Sequence, residues 1–316
     1  MDLTNCSRVE KFILLGFPHV WGINVSFFAV VLLLYMLSIA GNGLIIVIVR
    51  TNSQLQKPMY FFLSNLSFLE IWYTTTVVPK MLANLLLVKT TICFYCCMAQ
   101  LYFHFFFGVT EFFILTVMSF DRYLAICNPL RYSTIMTFGV CLQLALAAWL
   151  GGFFSILFQI IMVLRLPFCG SNIVNHFYCD IGPLLKIAGG DTRWIEALIF
   201  LIAVAVIVSS LLLTVISYIF IISTILRIPS SSGQKKAFST CASHLTVVTI
   251  LYGAVLFVYL RPSATNSSFR HNKAISVLNT VVTPVLNPFI YTIRNNEVKE
   301  ALWKLFQRKA LTLANE

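Results

Sequence analysis

The sequence predicts an all-α membrane protein, built as a bundle of seven transmembrane helices. Hydrophobic residues make up 59% of its 316 residues and charged residues only 10%, and the mean hydropathy is +0.88. An ordinary soluble domain carries about 25% charged residues, so the composition excludes a soluble enzyme. A helix needs about 20 apolar residues to cross a bilayer. Seven stretches are long and apolar enough: approximately residues 25–49, 59–78, 93–126, 140–164, 195–226, 237–260 and 275–293.

Each stretch is expected to be helical, because backbone in lipid must satisfy its own hydrogen bonds. The connecting segments are too short for another domain, so residues 1–316 are interpreted as one domain. Its parts are an extracellular segment 1–24, the bundle 25–293 and a cytoplasmic segment 294–316. The first 24 residues lack a basic start followed by an apolar core. We therefore expect no cleaved signal peptide, and an uncleaved signal anchor in the first helix.

The distribution of positive charge over the loops is only weak evidence for the orientation of the chain in the membrane. With the N-terminus outside, only slightly more than half of the 22 Lys and Arg residues fall on the cytoplasmic side. Asn5-Cys6-Ser7 is a glycosylation acceptor in a polar tail, which places the tail in the secretory lumen unless the motif occurs by chance. Similar motifs at Asn24 and Asn65 are interpreted as accidental. The net charge of +11 indicates a membrane surface rather than nucleic acid as partner, since the cations are scattered over short loops.

A short amphipathic helix is expected after the seventh span. Residues 295–306 alternate in charge and carry four apolar residues at helical spacing. Such a helix lies on the inner membrane surface with its apolar face in lipid. The four residues are Val298, Leu302, Leu305 and Phe306.

Charged residues interrupt the third apolar stretch at Glu111 and at Asp121-Arg122. A charge inside a span is interpreted first as functional and facing the protein interior; the alternative for Asp121-Arg122 is a pair that only anchors the helix end. Three- and four-residue steps place side chains on one helix face. The first part of this face is apolar with one histidine, the middle carries an acid, and the last part carries a cation. This order suits a ligand chamber at the outer end of the helix and a switch at the inner end. The members of this face are His104, Gly108, Glu111, Leu115, Ser119 and Arg122.

Several motifs carry a family resemblance over nearly the whole chain. They occur in order at Gly41-Asn42, at 58–67 (PMYFFLSNLS), at 118–132 (MSFDRYLAICNPLRY), at Ser217-Tyr218, at 236–245 (KAFSTCASHL) and at 288–291 (PFIY). The chain resembles a vertebrate olfactory receptor of class II, a rhodopsin-like G-protein-coupled receptor. This implies a plasma-membrane receptor, not an enzyme, that binds a small volatile molecule, activates the olfactory stimulatory G protein and raises cAMP.

The resemblance also implies a switch at the cytoplasmic end. Asp121 is expected to hold Arg122 at rest, and Arg122 to engage the G protein after activation. A guanidinium can exchange one set of partners for another. For His244 alone, a hydrogen-bonded packing residue is the alternative. The expected switch residues are Asp121, Arg122, Tyr123, Tyr218, His244 and Tyr291.

The family pattern further implies a polar cluster in the middle of the membrane. Glu70 and Glu111 are expected to face each other, near Asn42 and Asn287. Most relatives carry Asp where this chain has Glu70. Two carboxylates at this depth cannot both stay charged unless a cation lies between them or one holds a proton. We expect a sodium ion or a shared proton here, and no other cofactor.

Cysteines near the extracellular end indicate disulfides in an oxidising compartment. The resemblance implies a bridge between Cys97 and Cys179. Relatives usually join the position of Cys169 to one that is Gly189 here, so that bridge is lost or rerouted. Cys93 and Cys96 are alternative partners for Cys169, and sequence alone does not supply the geometry.

The ligand chamber is expected between the third, fifth, sixth and seventh spans. Any one aliphatic residue in a bundle is more often simple packing. A pocket for volatiles is mostly apolar with one or two polar anchors, here His104 and Tyr259. A metal bound by His104 and His176 is disfavoured, since ligand-type spacing is missing. The expected lining is His104, Phe105, Gly108, Val109, Ile202, Val206, Ile207, Tyr252, Val255, Tyr259 and Thr280.

Two other functions compete with a receptor. Intramembrane acids also mark the proton relays of transporters, but the internal repeats typical of transporters are not found. An intramembrane enzyme needs a nucleophile with a base or a metal motif, and no such motif stands out. The expected partners are therefore an odorant, a heterotrimeric G protein and membrane lipid, without nucleic acid.

Overall fold

The computed structural model describes residues 9–16, 21–87, 90–259, 273–295, 297–304 and 307. Its helices are α1 (Trp21–Thr51), α2 (Pro58–Leu86), α3 (Phe94–Cys127), α4 (Pro129–Ile135), α5 (Phe138–Leu164), α6 (Ile181–Ile187), α7 (Arg193–Leu226), α8 (Ser231–Tyr259), α9 (Thr283–Arg294) and α10 (residues 297–304). A 3₁₀ turn (Ser53–Leu55) follows α1, and a π-helical turn (Leu278–Val282) precedes α9.

Seven long helical segments form the bundle, which confirms the predicted fold class. Among the described residues, six of them are long and apolar enough to span a membrane. The remaining one, α2, is as long as the others at 29 residues but less apolar. Its polar side chains Ser67, Glu70 and Thr74 are at most 2% exposed. They face the protein interior between α1 and α3, so lipid does not have to solvate them.

Several helix ends differ from the sequence prediction, and α8 begins at Ser231 rather than at residue 237. The first helix begins at Trp21 rather than at residue 25. The second helix was expected to end at residue 78, but it continues through Pro79 to Leu86. Inside a bundle, neighbouring helices and local adjustments compensate for the hydrogen bond that a proline removes. The start of α2 follows the usual rule, since Pro58 occupies the first turn, where a missing N–H costs nothing.

The seventh segment, residues 273–294, is irregular near its prolines. The π-helical turn comes immediately before Pro284, and the Thr283 hydroxyl donates to the Leu278 carbonyl at 3.3 Å. The Pro284 carbonyl accepts a hydrogen bond from Asn42 Nδ2 at 3.1 Å. A Cβ added at Gly41 would meet the Pro288 ring at 3.0 Å, so α1 and α9 approach closely at this glycine. Asn42 therefore ties α1 to the backbone of this segment.

A small sheet lies at the end of the bundle where α1 begins and α2 ends, and nothing in the sequence pattern predicted it. Its strands are β1 (Lys11–Leu14), β2 (Thr91–Cys93) and β3 (Ile173–Val174). The central strand β1 pairs antiparallel with β2 and parallel with β3. Phe12 and Leu14 on β1 are completely buried, and the Phe12 ring lies 5.6 Å from that of Phe168. The N-terminal segment is thus part of a second core at this end of the bundle.

The helix α10 forms as expected, but its apolar face does not point into lipid. Val298, Ala301 and Leu302 are at most 9% exposed and pack in the main core of the bundle. Leu305 and Phe306 lie outside the described residues. Lys57 Nζ lies 2.7 Å from Glu297 Oε2, and this ion pair joins the start of α2 to α10. Helical spacing predicts an apolar face and cannot tell lipid from protein as its partner.

Candidate functional site

The Asp121–Arg122 pair lies inside the protein rather than at an exposed helix end. The Asp121 carboxylate is completely buried, and Arg122 is 12% exposed. Arg122 Nη2 donates to Asp121 Oδ2 at 2.6 Å, and Nε donates to the same atom at 3.1 Å. The Tyr132 hydroxyl donates to the other carboxylate oxygen at 2.7 Å. The sequence motif contained Tyr132, but its role as a second partner of Asp121 was not predicted.

A second network joins three helices around Leu115, six residues before Asp121 on α3. His244 is completely buried, and its Nε2 lies 3.2 Å from the Leu115 carbonyl oxygen. Because a carbonyl only accepts, Nε2 carries the proton and Nδ1 is the acceptor. The Tyr218 hydroxyl donates to Nδ1 at 2.7 Å. This arrangement fixes one tautomer of the ring, and it links α3, α7 and α8.

The expected switch residues surround Arg122, with one exception. Tyr218, His244 and Tyr291 all interact electrostatically with the Arg122 charge. The Tyr291 hydroxyl is buried without a hydrogen-bond partner among the described residues, so it is available to a new partner. Tyr123 instead points toward α7, where its ring lies 5.8 Å from that of Phe220. Its contacts there are apolar.

Three of the four expected polar-cluster residues come together between α2, α3 and α9. Glu70, Glu111 and Asn287 are at most 4% exposed. Asn287 Nδ2 donates to Glu70 Oε1, and the two carboxyl groups lie close enough to interact. Asn42 is equally buried but binds the carbonyls of Ser38 and Pro284 instead. Among described atoms, Glu70 Oε2 and Glu111 Oε1 have no hydrogen-bond partner. Two neighbouring buried carboxyl groups with unpaired oxygen atoms fit a shared proton, and these oxygen atoms also fit a small cation.

The upper part of the expected chamber is aromatic. The His104 ring stacks on Tyr73 at 4.7 Å and lies 4.8 Å from the Tyr178 ring. Thr280 is buried, and a Cβ at Gly108 would lie 3.8 Å from the Tyr73 ring. Tyr73 and Tyr178 were missed by the sequence analysis. Tyr73 lies one helical turn after Glu70, and this spacing could have indicated it.

The lower part of the expected chamber is packed in the main core. Tyr252 is 3% exposed, and its ring lies 5.3 Å from Phe112. Phe105 and Val109 pack against the second core, which contains Phe12 and Leu14. The remaining expected residues lie in or against the main core: Val109, Ile202, Val206, Ile207 and Val255. The side chain of Tyr259, and Asn5 altogether, lie outside the described residues.

A loop segment between α5 and α6 covers the chamber. Cys97 is bonded to Cys179, the pair that the resemblance implies. Gln100 on α3 accepts from the Cys179 backbone N–H at 3.0 Å and donates to the Thr76 carbonyl at 3.0 Å. The His176 ring meets the Tyr178 ring edge-on at 4.5 Å. The loop is therefore bound to both α2 and α3 directly above His104.

The pKa values of two side chains in this loop are shifted. Burial, with the charges of Lys273 and His104, lowers the pKa of His176 to about 3. Burial raises the pKa of Asp180 to about 6, opposed by the hydrogen bond that its carboxylate accepts from Ile181 N–H. Within the described part of the chain, no group of three or more His, Cys, Asp or Glu side chains could hold a metal ion.

The other cysteines resolve one alternative left open by the sequence. Cys93 and Cys96 are bonded to each other, so neither is the partner of Cys169, which is itself disulfide-bonded. Gly189 N–H donates to the Pro167 carbonyl at 2.7 Å. A Cβ there would meet that carbonyl oxygen at 3.1 Å. The glycine therefore allows a close backbone contact at the position where the family resemblance implies a cysteine.

Comparison with known proteins gives a consistent result. The model of the family described as "Olfactory receptor" matches residues 31–309. The chain is 58% identical to human Olfactory receptor 6X1, over 98% of this chain and 97% of that protein. It is 52% identical to human Olfactory receptor 6F1, over 98% and 100% of the two chains. The crystal structure of squid rhodopsin superposes with a TM-score of 0.67 at 16% identity, over 93% of this chain and 90% of that one.

Proposed function

The chain belongs to the olfactory receptor family, and we propose that it binds small volatile molecules between α3, α7, α8 and α9 and activates the olfactory stimulatory G protein, raising cAMP. Its relatives are named as receptors, and it is a multi-pass membrane receptor rather than an enzyme. One observation carries the proposal. The helix α3 holds a buried imidazole among aromatic rings at one end and a buried ion pair at the other.

The His104 environment suits a ligand that is mostly apolar with one polar group. The ring is 6% exposed, and its Nδ1 has no hydrogen-bond partner among the described residues. An oxygen or nitrogen atom of a ligand can satisfy this position, while contact with the surrounding rings provides affinity. A buried polar atom left unpaired costs about 1–3 kcal/mol. Ligands that form a hydrogen bond with His104 Nδ1 should therefore bind more tightly than purely apolar ligands.

Coupling to the cytoplasmic end requires only a modest bias between two arrangements. The face of α3 continues from His104 through Glu111 and Leu115 to Arg122, and the Leu115 carbonyl is a partner of His244. A ligand shifts such an equilibrium by its difference in affinity for the two states. A few kcal/mol are enough to change the populations substantially. In the proposed active state, Arg122 leaves Asp121 and contacts the G protein.

A cAMP screen against a panel of volatiles, in cells that display the chain, tests this proposal. We expect Arg122→Gln to abolish every response at normal surface expression. His104→Ala should weaken responses to ligands bearing oxygen or nitrogen and spare hydrocarbons. Phe103→Ala is the matched control, since Phe103 adjoins His104 but is 46% exposed on the outer side of α3. Equal loss for all agonists in His104→Ala would contradict the anchor role, and responses that survive Arg122→Gln would contradict the switch.

We further propose that Glu70 and Glu111 bind a sodium ion or share a proton that stabilises the resting state. The carboxyl pair and the unpaired oxygen atoms on both residues support this role. Glu111→Gln keeps the size and hydrogen-bonding capacity of the side chain but removes its charge. We expect this variant to change basal cAMP and to lose its dependence on sodium and pH. Unchanged basal activity with the same dependences would exclude the site.

The orientation is also a proposal. We place the receptor in the plasma membrane with its N-terminus outside and with a glycan on Asn5. Glycosidase treatment should increase the gel mobility of the protein, and Asn5→Gln should abolish that shift. A glycosidase-sensitive band that persists in Asn5→Gln would show that another residue carries the glycan.

A further inference from the structure

A groove of about 900 Å³ opens on the outer side of α2, on the side away from the proposed chamber. Its walls come from the end of α1, the loop that follows it, and the first half of α5. Phe61, Phe68 and Trp149 form its aromatic floor, with Phe68 and Trp149 edge-to-face at 6.1 Å. Trp149 Nε1 donates to Asn65 Oδ1 at 3.2 Å. This bond holds α5 against α2 and leaves the rest of the floor apolar.

One end of the groove is cationic. Arg50 and Lys57 line it where α1 ends and α2 begins. Lys57 is paired with Glu297, whereas no described carboxylate lies within 4 Å of the Arg50 guanidinium. Lys304 adds a third cation beside this loop, where it donates to Gln54 at 3.2 Å. Three cations and one carboxylate leave an excess of positive charge at this end.

An apolar groove with a cationic end matches an amphiphilic ligand with an anionic headgroup. Residues such as Leu142 and Leu146 are 43% and 51% exposed within the groove, which is a natural surface for acyl chains. An acyl chain lying along α2 brings its headgroup to the end that holds Arg50. A guanidinium matches a phosphate in charge and geometry. A sterol offers only a hydroxyl and leaves the Arg50 charge unmatched.

We propose that this groove is a binding site for one anionic phospholipid of the cytoplasmic leaflet, with its phosphate on Arg50 and its acyl chains against Phe61, Leu146 and Trp149. The site is independent of odorant binding.

Spin-labelled phosphatidylserine tests the proposal, with the purified full-length receptor in phosphatidylcholine nanodiscs. The measurement is the immobilised fraction of this label, compared with that of spin-labelled phosphatidylcholine. We expect Arg50→Gln to reduce the preference for phosphatidylserine about fivefold, the size expected for one cation at an anionic surface. Leu146→Trp fills the groove and should reduce the immobilised fraction as well. Thermal unfolding identifies any variant that fails to fold.

Arg227→Gln is the matched control, because Arg227 is an exposed cation that follows α7, away from the groove. We expect it to keep the parental preference. A preference unchanged by Arg50→Gln, or reduced equally by Arg227→Gln, would overturn the proposal. Displacement of a cholesterol probe by Leu146→Trp, with phosphatidylserine retention unchanged, would assign the groove to a sterol and overturn the phospholipid assignment.

Discussion

The hydroxyl of Tyr218 donates to His244 Nδ1 at 2.7 Å, inside a network that also includes the Leu115 carbonyl. A single imidazole thus joins α7, α8 and α3, and its partner on α3 lies six residues before Asp121. Both of its nitrogen atoms are satisfied only in one tautomer. The stability of the resting bundle should therefore depend on both partners.

Tyr218→Phe tests this dependence. The substitution keeps the ring but leaves His244 Nδ1 buried without a donor, which costs about 1–3 kcal/mol. We expect a lower unfolding temperature of the purified receptor. Tyr35→Phe is the control, since it also removes one hydroxyl contact, at 3.1 Å from Thr75 Oγ1, but far from the network. If the two variants unfold at the same temperature, the network does not stabilise the resting state.

Gly152 allows the close approach of α5 to α3. A Cβ at this position would lie 2.1 Å from Thr110 Oγ1 and 3.2 Å from the Phe106 carbonyl. Gly152→Ala should therefore force the helices apart, at a cost of about 1–3 kcal/mol, and reduce surface expression. Adding Thr110→Ala removes the closer clash and should restore part of the loss. Gly253→Ala in α8 is the control, since no atom lies within 4 Å of its added Cβ. Equal expression of Gly152→Ala and Gly253→Ala would contradict this account.

The two described disulfide bridges should contribute very differently to stability. Cys97 and Cys179 are 82 residues apart, whereas Cys93 and Cys96 are three apart. Closing a long loop removes more entropy from the unfolded chain, and loss of such a bridge typically costs about 2–5 kcal/mol. We expect Cys179→Ser to abolish surface expression and Cys96→Ser to reduce it only slightly. Peptide mapping without reduction should recover both pairs. Comparable losses in the two variants would argue against the loop-entropy explanation.

The sequence predicted the helices well because the hydrophobic signal of a span is strong and local. It predicted the Asp121–Arg122 pair for the same reason, since the two residues are neighbours. The sheet was missed because β1, β2 and β3 are at most four residues long. Their pairing also joins segments that are far apart in sequence. Such pairings depend on the folded bundle and leave no periodicity in the chain.

The candidate site was predicted less completely than the fold. Helical spacing identified the face of α3 but not the rings that surround His104, because Tyr73 and Tyr178 come from α2 and from a loop. The same limit applies to α10. Its apolar residues were identified, but their burial against the bundle depends on Lys57 and Tyr60, which bind Glu297 from the start of α2.

The loop above the chamber should make stability depend on pH in two opposite ways. The pKa of His176 is lowered from 6.5 to about 3, so below pH 6.5 the unfolded chain takes up a proton that the folded chain does not bind. His176 therefore reduces stability as the pH falls from 6.5 toward 3. The pKa of Asp180 is raised from 3.8 to about 6. Its protonated form favours the folded state at low pH, and this contribution is lost as the pH rises through about 6.

Unfolding of the purified receptor between roughly pH 5 and 7 separates the two contributions. His176→Gln should remove the destabilisation that His176 causes below pH 6.5, so that stability decreases less as the pH falls. Asp180→Asn keeps a side-chain oxygen that can cap Ile181 N–H but removes the titration, so stability should decrease more steeply as the pH falls. The two variants thus change the slope in opposite directions, which a general loss of packing cannot do. Slopes that change in the same direction would show that these two side chains do not control the acid response.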